Sequence, residues 1–437
     1  MCIRDRKSVD LHNVEYGECV VLNGHNGGIL MVDCGSSNQK IRERDVPFTA
    51  YVNPTLLELY GNCPERSFLL THFHRDHLCG LMQILSARPG WFQRIFLPAQ
   101  PCDRYGSPLL LEFALFVYSF LGRQTDYAIV NVSSLKILER AVQLTPAAQV
   151  VPVGQGDCFG FDGVAYDVLW PPRRDCVFSD LFAGAVEEMN VCLSSPFLPE
   201  CARQFLALKN AFCQAYLACC AGGPLDALRV AECSRLLAEI DALLPAVNLL
   251  PSAPDIQEIL NRPVTKAAYT EELNAASVVF HNRRTQEAST DDILMTGDAS
   301  PETLDALAEL LYENYYIIKA PHHGTASHWS HLLSEISSSH ILVSNGDYQK
   351  AGKIAPAYLE LPAVKHCTNC SACDWYAVSG CSCNRMAVCY DLANGAGLTI
   401  KCPYVCGAQQ SPDCGIFIVG AAGRRSCLCD NLPVQIN

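Results

Sequence analysis

Three histidines and one aspartate fall within six positions of the segment THFHRDHLCG, residues 71–80. His72 and His74 are spaced to bind one metal ion. Asp76 and His77 are placed to face a second ion. Imidazole nitrogens and carboxylate oxygens together suit zinc, manganese or iron. We therefore expect a metal centre in this segment rather than a polar surface loop.

The elements around this segment must bring its side chains together. ILMVDCG, residues 29–35, predicts a buried strand ending on Asp33, and SFLLTHFH, residues 67–74, predicts another that ends on the histidines. RIFLP, residues 94–98, predicts a third strand. Short apolar strands alternating with helices indicate a layered α/β core. A strand ending at Thr71 would deliver the histidines into a loop at a sheet edge.

The rest of the chain repeats this pattern around a change in composition. Further strands are predicted at residues 150–153, 164–169, 276–281, 292–296, 315–320 and 340–344. Between them, residues 180 to 262 are rich in Ala, Leu, Glu and Cys at helical spacing, which predicts a helical insertion. Ser300-Pro301 predicts the start of a helix whose apolar face runs to Leu311.

The order HxHxDH after a buried strand resembles the signature of the metallo-β-lactamase superfamily. Supporting motifs follow in that family's order: MVDCG with Asp33, LMTGDAS with Asp298, and KAPHHGT with His322 and His323. The resemblance implies that Asp33 supports the histidine loop and that Asp298 bridges two metal ions. It also implies that His323 completes the second metal site. His322 would contact the substrate oxygen or protonate the leaving group, with Asp76 as the other catalytic residue.

This resemblance implies an αββα sandwich of two mixed sheets, with helices outside and the metal ions at one edge. It implies two divalent metal ions, zinc or manganese, and a hydroxide made from bound water as the nucleophile. No histidine occurs between His77 and His281, where many members place a further ligand. We therefore expect the first metal site to be incomplete.

Several segments are similar to the soluble hydrolase domain of the DNA-uptake channel ComEC and to phosphorylcholine esterases. They are VLWPP, LNAASVV, ILMTGD and KAPHHGT. This similarity implies a phosphodiester substrate, either nucleic acid or a small phosphorylated molecule. It nominates Asn274 and Ser277 as substrate-binding residues, with helix capping or strand-end hydrogen bonding as their alternative role. His328, which follows the last of these motifs, is a further candidate for substrate binding. Two alternatives stay open: hydrolysis of a thioester, lactone or amide at the same site, or a non-catalytic module for metal binding or sensing.

Four regions are predicted. The core occupies residues 7–178 and 267–365, and the insertion, expected to cover the cleft and select substrate, occupies 179–266. Residues 366–437 form a cysteine-rich segment that also holds closing strands of the core, and it contains 11 of the 25 cysteines. A structural zinc site is nominated in this segment, with the ligands Cys367, Cys370, Cys381 and Cys383. Residues 1–6 resemble a translated sequencing-adapter remnant, and we do not expect them to belong to the fold.

Composition narrows the functional classes. The net charge of −13 argues against a general nucleic-acid coat, because phosphate binding depends on Lys and Arg. The most apolar stretch, residues 108–121, is too short to cross a bilayer and predicts a buried helix. Many cysteines without an export signal indicate a reducing compartment, so a cytoplasmic location is expected.

Overall fold

The computed structural model describes residues 7–12, 14–38, 40–41, 46–122, 126–144, 148–284, 292–346, 354–368, 396–401 and 417–419. Two large mixed sheets lie face to face, and helices cover their outer faces. This arrangement confirms the predicted α/β sandwich.

Within the described residues, the first sheet has eight strands. They are β1 (Lys7–His12), β2 (Val20–Asn23), β3 (Ile29–Val32), β6 (Arg66–Leu69), β7 (Arg94–Pro98), β8 (Gln149–Val153), β16 (Ala396–Lys401) and β17 (Phe417–Val419). Their order across the sheet is β17-β16-β1-β2-β3-β6-β7-β8, while β4 (Lys40–Ile41) and β5 (Val46–Pro47) form a separate two-stranded ladder. β3 and β6 are parallel neighbours, so the segments that follow them leave the sheet at the same edge.

The second sheet has seven strands in the part of the chain that the structure describes. They are β9 (Cys158–Phe161), β10 (Val164–Trp170), β11 (Val279–Asn282), β12 (Ile293–Met295), β13 (Asn314–Lys319), β14 (Ser337–Val343) and β15 (Val364–Cys367). Their order across the sheet is β15-β14-β13-β12-β11-β10-β9. β12 and β13 are parallel neighbours, so their carboxyl ends also lie at a common edge.

Apolar side chains from both sheets form one core between them. Val20, Leu30 and Leu69 of the first sheet share this core with Phe280 and Ile317 of the second. The rings of Phe96 and Phe159 meet across the interface with centroids 4.6 Å apart. Strands that are buried on both faces explain the continuous apolar runs in the sequence.

Helices of the core flank the sheets. They are α1 (Phe48–Ala50), α2 (Leu57–Leu59), α3 (Arg75–Ala87), α4 (Leu109–Phe120), α5 (Asp126–Leu144), α11 (Pro301–Ala306), α12 (Leu332–Glu335) and α13 (Ala357–Glu360), with a π-helical stretch, Tyr51–Leu56, between α1 and α2. α4 is the buried helix expected at residues 108–121. None of the helices in the described ranges is long and apolar enough to cross a membrane.

Five consecutive helices separate β10 from β11. They are α6 (Asp180–Leu193), α7 (Glu200–Cys219), α8 (Ala227–Val247), α9 (Ala253–Asn261) and α10 (Pro263–Ala275). We call this group the helical insertion. It packs on α4, where Lys209 of α7 forms a buried ion pair with Glu112. Asn190 of α6 donates to the same carboxylate at 3.2 Å.

The structure corrects several details of the sequence analysis. The predicted boundary between residues 266 and 267 falls inside α10, because this helix continues to Ala275. The helix that begins at Pro301 ends at Ala306, and a 3₁₀ turn follows it. Strands β1 and β9 and helix α5 were not predicted.

Candidate metal centre

The histidine loop follows β6, and its side chains are oriented by Asp33 at the end of β3. The backbone N–H of Thr71 donates to Asp33 Oδ1 at 2.7 Å, and the Thr71 hydroxyl donates to Oδ2 at 2.7 Å. His77, in the first turn of α3, places Nδ1 2.7 Å from the same Oδ2. Because a carboxylate only accepts, His77 Nδ1 donates, and its Nε2 turns toward Asp298.

The second sheet supplies the facing residues. Asp298 follows β12, and His322 and His323 follow β13 with φ values of 43° and 56°. Such left-handed backbone is costly for residues other than glycine and clusters at functional sites. His323 is held by Ser344, whose carbonyl oxygen lies 2.9 Å from Nδ1, and by Asn345, which donates to its carbonyl at 2.9 Å.

Histidine ring nitrogens from the segments that follow strands of both sheets converge on Asp298 Oδ2. His77 Nε2 lies 3.2 Å from this oxygen and His323 Nε2 lies 3.8 Å from it. The Nε2 atoms of His72 and His322 each lie 3.9 Å away. This single oxygen therefore faces ring nitrogens from both sides of the centre.

The outer ligand candidates lie against this group. His74 Nδ1 is 2.8 Å from His72 Nε2, and Asp76 Oδ2 is 3.3 Å from His323 Nε2. The structure thus brings together all six residues that the sequence analysis nominated as metal ligands.

Gly297 permits the close approach of the two sheets at this edge. Its φ is +52°, and a Cβ there would lie 2.9 Å from the Ser277 Cβ and 3.0 Å from the Thr71 Cβ. A side chain at this position would push the Asp298 loop away from the histidine loop.

Burial and charge set the protonation states. Burial lowers the pKa of His72 well below its ordinary value, and it also lowers the pKa of His74. Burial opposes ionisation of Asp298, yet the imidazoles of His77 and His323 outweigh it and hold the pKa of Asp298 well below its ordinary value. Burial opposes ionisation of Asp76 too, but the hydrogen bond with His323 overcomes it and lowers the pKa. Neutral imidazoles beside ionised carboxylates are the protonation states that metal binding requires.

His77 behaves differently from its neighbours. Burial lowers its pKa, but the carboxylates of Asp298 and Asp33 outweigh that effect and raise the pKa well above its ordinary value. A proton on His77 Nε2 and a metal ion therefore compete for the same position beside Asp298.

The donor set fits divalent metal ions. Two groups have ligand atoms within 4.8 Å of one another: His72 with His77 and Asp298, and Asp76 with His77 and His323. His77 Nε2 and Asp298 Oδ1 are buried without a hydrogen-bond partner, which is costly unless a ligand satisfies them. The groups share His77, whereas the spacing in the sequence suggested separate pairs.

The three residues nominated for substrate binding lie behind the centre. Ser277 is fully buried, and its hydroxyl accepts from the backbone N–H of Asp298 at 3.1 Å. Asn274 is also fully buried, with Nδ2 3.5 Å from His328 Nε2. His328 is 1% exposed and contacts His322. These side chains support Asp298 and His322, and their contact with substrate stays a prediction.

Two charged residues in the wall of the centre were missed. Lys319, the last residue of β13, places Nζ 2.8 Å from Glu18 Oε2 and 3.7 Å from Asp298 Oδ1. Both Lys319 and Glu18 are 2% exposed at their side chains. A lysine that ends an otherwise apolar strand was a usable signal, whereas nothing near Glu18 in the sequence marked it.

The nominated structural metal site cannot be placed. The backbone of Cys367 ends β15, while Cys370, Cys381 and Cys383 lie outside the described residues.

Comparison with known proteins places this site in a recognised fold. Residues 12–89 match the model of the family described as metallo-beta-lactamase superfamily. No curated protein sequence matches the chain.

Solved structures with a similar arrangement share little sequence with the chain. CmlA, a diiron beta-hydroxylase from Streptomyces venezuelae, is 11% identical with a TM-score of 0.29, over 76% of this chain and 46% of CmlA. A variant of the CmlA beta-hydroxylase is 11% identical with a TM-score of 0.32, over 79% and 48%. The chain therefore spans about half the length of CmlA. A metallo-beta-lactamase family protein from Thermus thermophilus is 17% identical with a TM-score of 0.22, over 60% of this chain and 90% of that protein. From the family match and its two facing sheets, the chain has the metallo-β-lactamase fold.

Proposed function

We propose that this protein is a metal-dependent hydrolase that cleaves a phosphodiester. The observation that carries the proposal is the convergence of four imidazoles on Asp298 Oδ2, with two overlapping groups of histidine and carboxylate ligand atoms. Members of this superfamily are generally metal-dependent hydrolases. Zinc or manganese suits this mixture of nitrogen and oxygen donors.

The position of each residue determines the role that we propose for it. His72, His77 and Asp298 would hold one ion, and Asp76 with His323 would hold the other beside the shared His77. When bound, divalent metal ions supply Lewis acidity to water and to a phosphoryl oxygen.

His322 differs from these ligands because its side chain is 21% exposed, so that it reaches the open side of the centre. Burial lowers the pKa of His322 to about 3, so its ring is neutral at physiological pH. It is therefore placed to contact the substrate or to accept and pass on a proton at Nε2.

The surroundings favour a small phosphodiester over nucleic acid. A narrow cavity lies between the histidine loop and the helical insertion, and its walls are mainly apolar. Its lining includes His72, Phe73, Leu110, Tyr269 and Leu273. The acidic balance of the chain also disfavours a polyanionic substrate. The phosphodiester class itself rests on the motifs that resemble ComEC and phosphorylcholine esterases.

The test is hydrolysis of bis(p-nitrophenyl) phosphate by the full chain supplied with Mn²⁺ or Zn²⁺. We expect turnover by the wild-type chain. Substitutions of residues that only orient metal ligands lower activity by up to roughly 100-fold, and we expect Asp298→Asn to lower turnover further than that. Asp255→Asn, on the exposed start of α9, is the matched control and should keep full activity.

Two results would contradict the proposal. Turnover of p-nitrophenyl acetate but not of the phosphodiester would favour the ester, thioester or amide alternative. Metal binding without turnover of either compound would favour the non-catalytic alternative.

A further inference from the structure

A row of side chains connects the helical insertion to the candidate metal centre. Glu271, on α10, places Oε2 3.4 Å from His328 Nε2. His328 Nδ1 lies 2.7 Å from His322 Nδ1. On the far side of its ring, His322 Nε2 lies 3.9 Å from Asp298 Oδ2. Glu271 itself is exposed.

The contact between the two Nδ1 atoms couples the tautomers of the two rings. In a hydrogen bond between neutral imidazoles, one nitrogen carries the hydrogen and the other accepts. If His328 carries its hydrogen on Nε2, its Nδ1 accepts and His322 Nδ1 must donate. His322 then has no hydrogen on Nε2, the atom that faces the centre. The opposite tautomer of His328 would place a hydrogen there.

Two groups compete to set the tautomer of His328. An ionised Glu271 can only accept a hydrogen bond, and its hydrogen bond with His328 lowers the pKa of Glu271. Asn274 Nδ2, a neutral donor, lies 3.5 Å from the same Nε2. Hydrogen bonds to a charged group are roughly twice as strong as neutral ones, so the carboxylate prevails over the amide. His328 therefore carries its hydrogen on Nε2.

The hydroxyl groups around the two rings are compatible with this assignment. Thr325 Oγ1 lies 3.1 Å from His322 Nδ1, and Ser327 Oγ lies 3.0 Å from His328 Nδ1. A hydroxyl rotates to donate or accept as its neighbour requires, so neither group dictates the tautomer. The carboxylate of Glu271 lies 3.4 Å from His328 Nε2, whereas Asp298 Oδ2 lies 3.9 Å from His322 Nε2, beyond hydrogen-bond distance. Glu271 is therefore the charged group that sets the tautomer through a hydrogen bond.

We propose that Glu271 is a positioning residue that, through His328, directs the unprotonated Nε2 of His322 toward the metal centre. His322 thus offers water or substrate a hydrogen-bond acceptor, rather than the donor expected from the sequence. The helical insertion thereby contributes to the chemistry and not only to covering the cleft. The effect on turnover rests on the proposed function, whereas the tautomer assignment does not.

Nitrogen-15 NMR of the full chain, labelled on histidine and kept free of metal, tests the assignment directly. Protonated and unprotonated ring nitrogens resonate in separate regions, and His322→Gln and His328→Gln identify the two sets of signals. We expect His322 protonated at Nδ1 and His328 protonated at Nε2. A hydrogen on His322 Nε2 in the wild-type protein would overturn the proposal.

Substitution of Glu271 tests its role. Glu271→Met should shift both rings toward the opposite tautomer and lower kcat about ten-fold with little change in KM. Glu271→Asp, which keeps the carboxylate, should restore much of the wild-type tautomer population and much of the wild-type kcat. Glu258→Met is the matched control, since Glu258 is an exposed glutamate of the same insertion.

The two readouts separate this inference from the proposed function. Unchanged NMR signals in Glu271→Met would overturn the inference whatever the turnover. The expected NMR shifts without phosphodiester hydrolysis by the wild-type protein would support the inference and contradict the proposed function.

Discussion

Replacing Lys319 by Met should destabilise the protein by an amount that grows with pH. The change removes the charge that faces Glu18 Oε2 at 2.8 Å, with both side chains 2% exposed. Burial already raises the pKa of Glu18, and Lys319 opposes that effect. Without the lysine, Glu18 must be protonated in the folded protein. Folding of the variant therefore includes the cost of adding a proton to a carboxyl group that is ionised in the unfolded chain.

The magnitude follows from that proton. The ordinary pKa of a glutamate is 4.5. At pH 7 the difference is about 2.5 units, and one unit corresponds to about 1.36 kcal/mol, so the loss is at most about 3.4 kcal/mol. It stays below this bound because the pKa of Glu18 is already raised in the wild-type protein. This bound agrees with the roughly 3–5 kcal/mol lost when one member of a buried ion pair is removed. At pH 5 the difference from the ordinary pKa is about 0.5 units, so the same calculation gives a loss of at most about 0.7 kcal/mol.

The assay is urea unfolding in the presence of a chelator, with calorimetry to establish that unfolding is a single transition. The double variant Lys319→Met/Glu18→Gln should recover most of the stability, because no carboxyl group then needs to be protonated. Equal losses at pH 5 and pH 7, or a double variant no more stable than the single one, would refute the reasoning.

Three further predictions concern two residues beside the centre and one buried histidine of the second sheet. Asp33→Asn should weaken metal binding by about 10–100-fold because it releases His77 from its orientation, and calorimetric titration that finds unchanged affinity would contradict this. Gly297→Ala should lower the free energy of unfolding by about 1–3 kcal/mol, since φ is +52° and a Cβ would lie 2.9 Å from Ser277; an unchanged urea midpoint would count against it. Burial lowers the pKa of His340 from 6.5 to about 4. At this residue the unfolded chain therefore binds a proton more readily than the folded protein does, so the free energy of unfolding falls as the pH drops between these two values. His340→Gln should flatten that fall, by at most about 3 kcal/mol, and an equally steep pH profile of thermal unfolding would show the reasoning to be wrong.

The ligand candidates could be predicted because their spacing is local or their motifs are distinctive. The segment from His72 to His77 lies in one loop, and a buried strand before it is visible in the apolar run of residues 67–70. Asp298 and His323 also directly follow strands, so their motifs indicated both element and position. Parallel strands then bring these carboxyl ends to one edge.

The supporting residues could not be predicted from their surroundings in the sequence. Glu18 and Lys319 become neighbours only when the two sheets face each other, and neither the length nor the composition of the chain specifies that contact. Ser277 and Asn274 were assigned to substrate because their motif was recognised, whereas packing turns both side chains toward the protein interior. β1 was missed because its partner β16 lies at the other end of the chain.

The central claim is that this site binds two metal ions. Its most direct test is binding of Mn²⁺ to the metal-free full chain, measured by calorimetry and by electron paramagnetic resonance. Manganese is the suitable probe because thiolates of the cysteine-rich segment bind it poorly. We predict binding of two ions per chain, with spectra of coupled ions, and loss of at least one ion in Asp298→Asn. Full retention of both ions by that variant, or failure of the folded wild-type protein to bind Mn²⁺, would contradict the account.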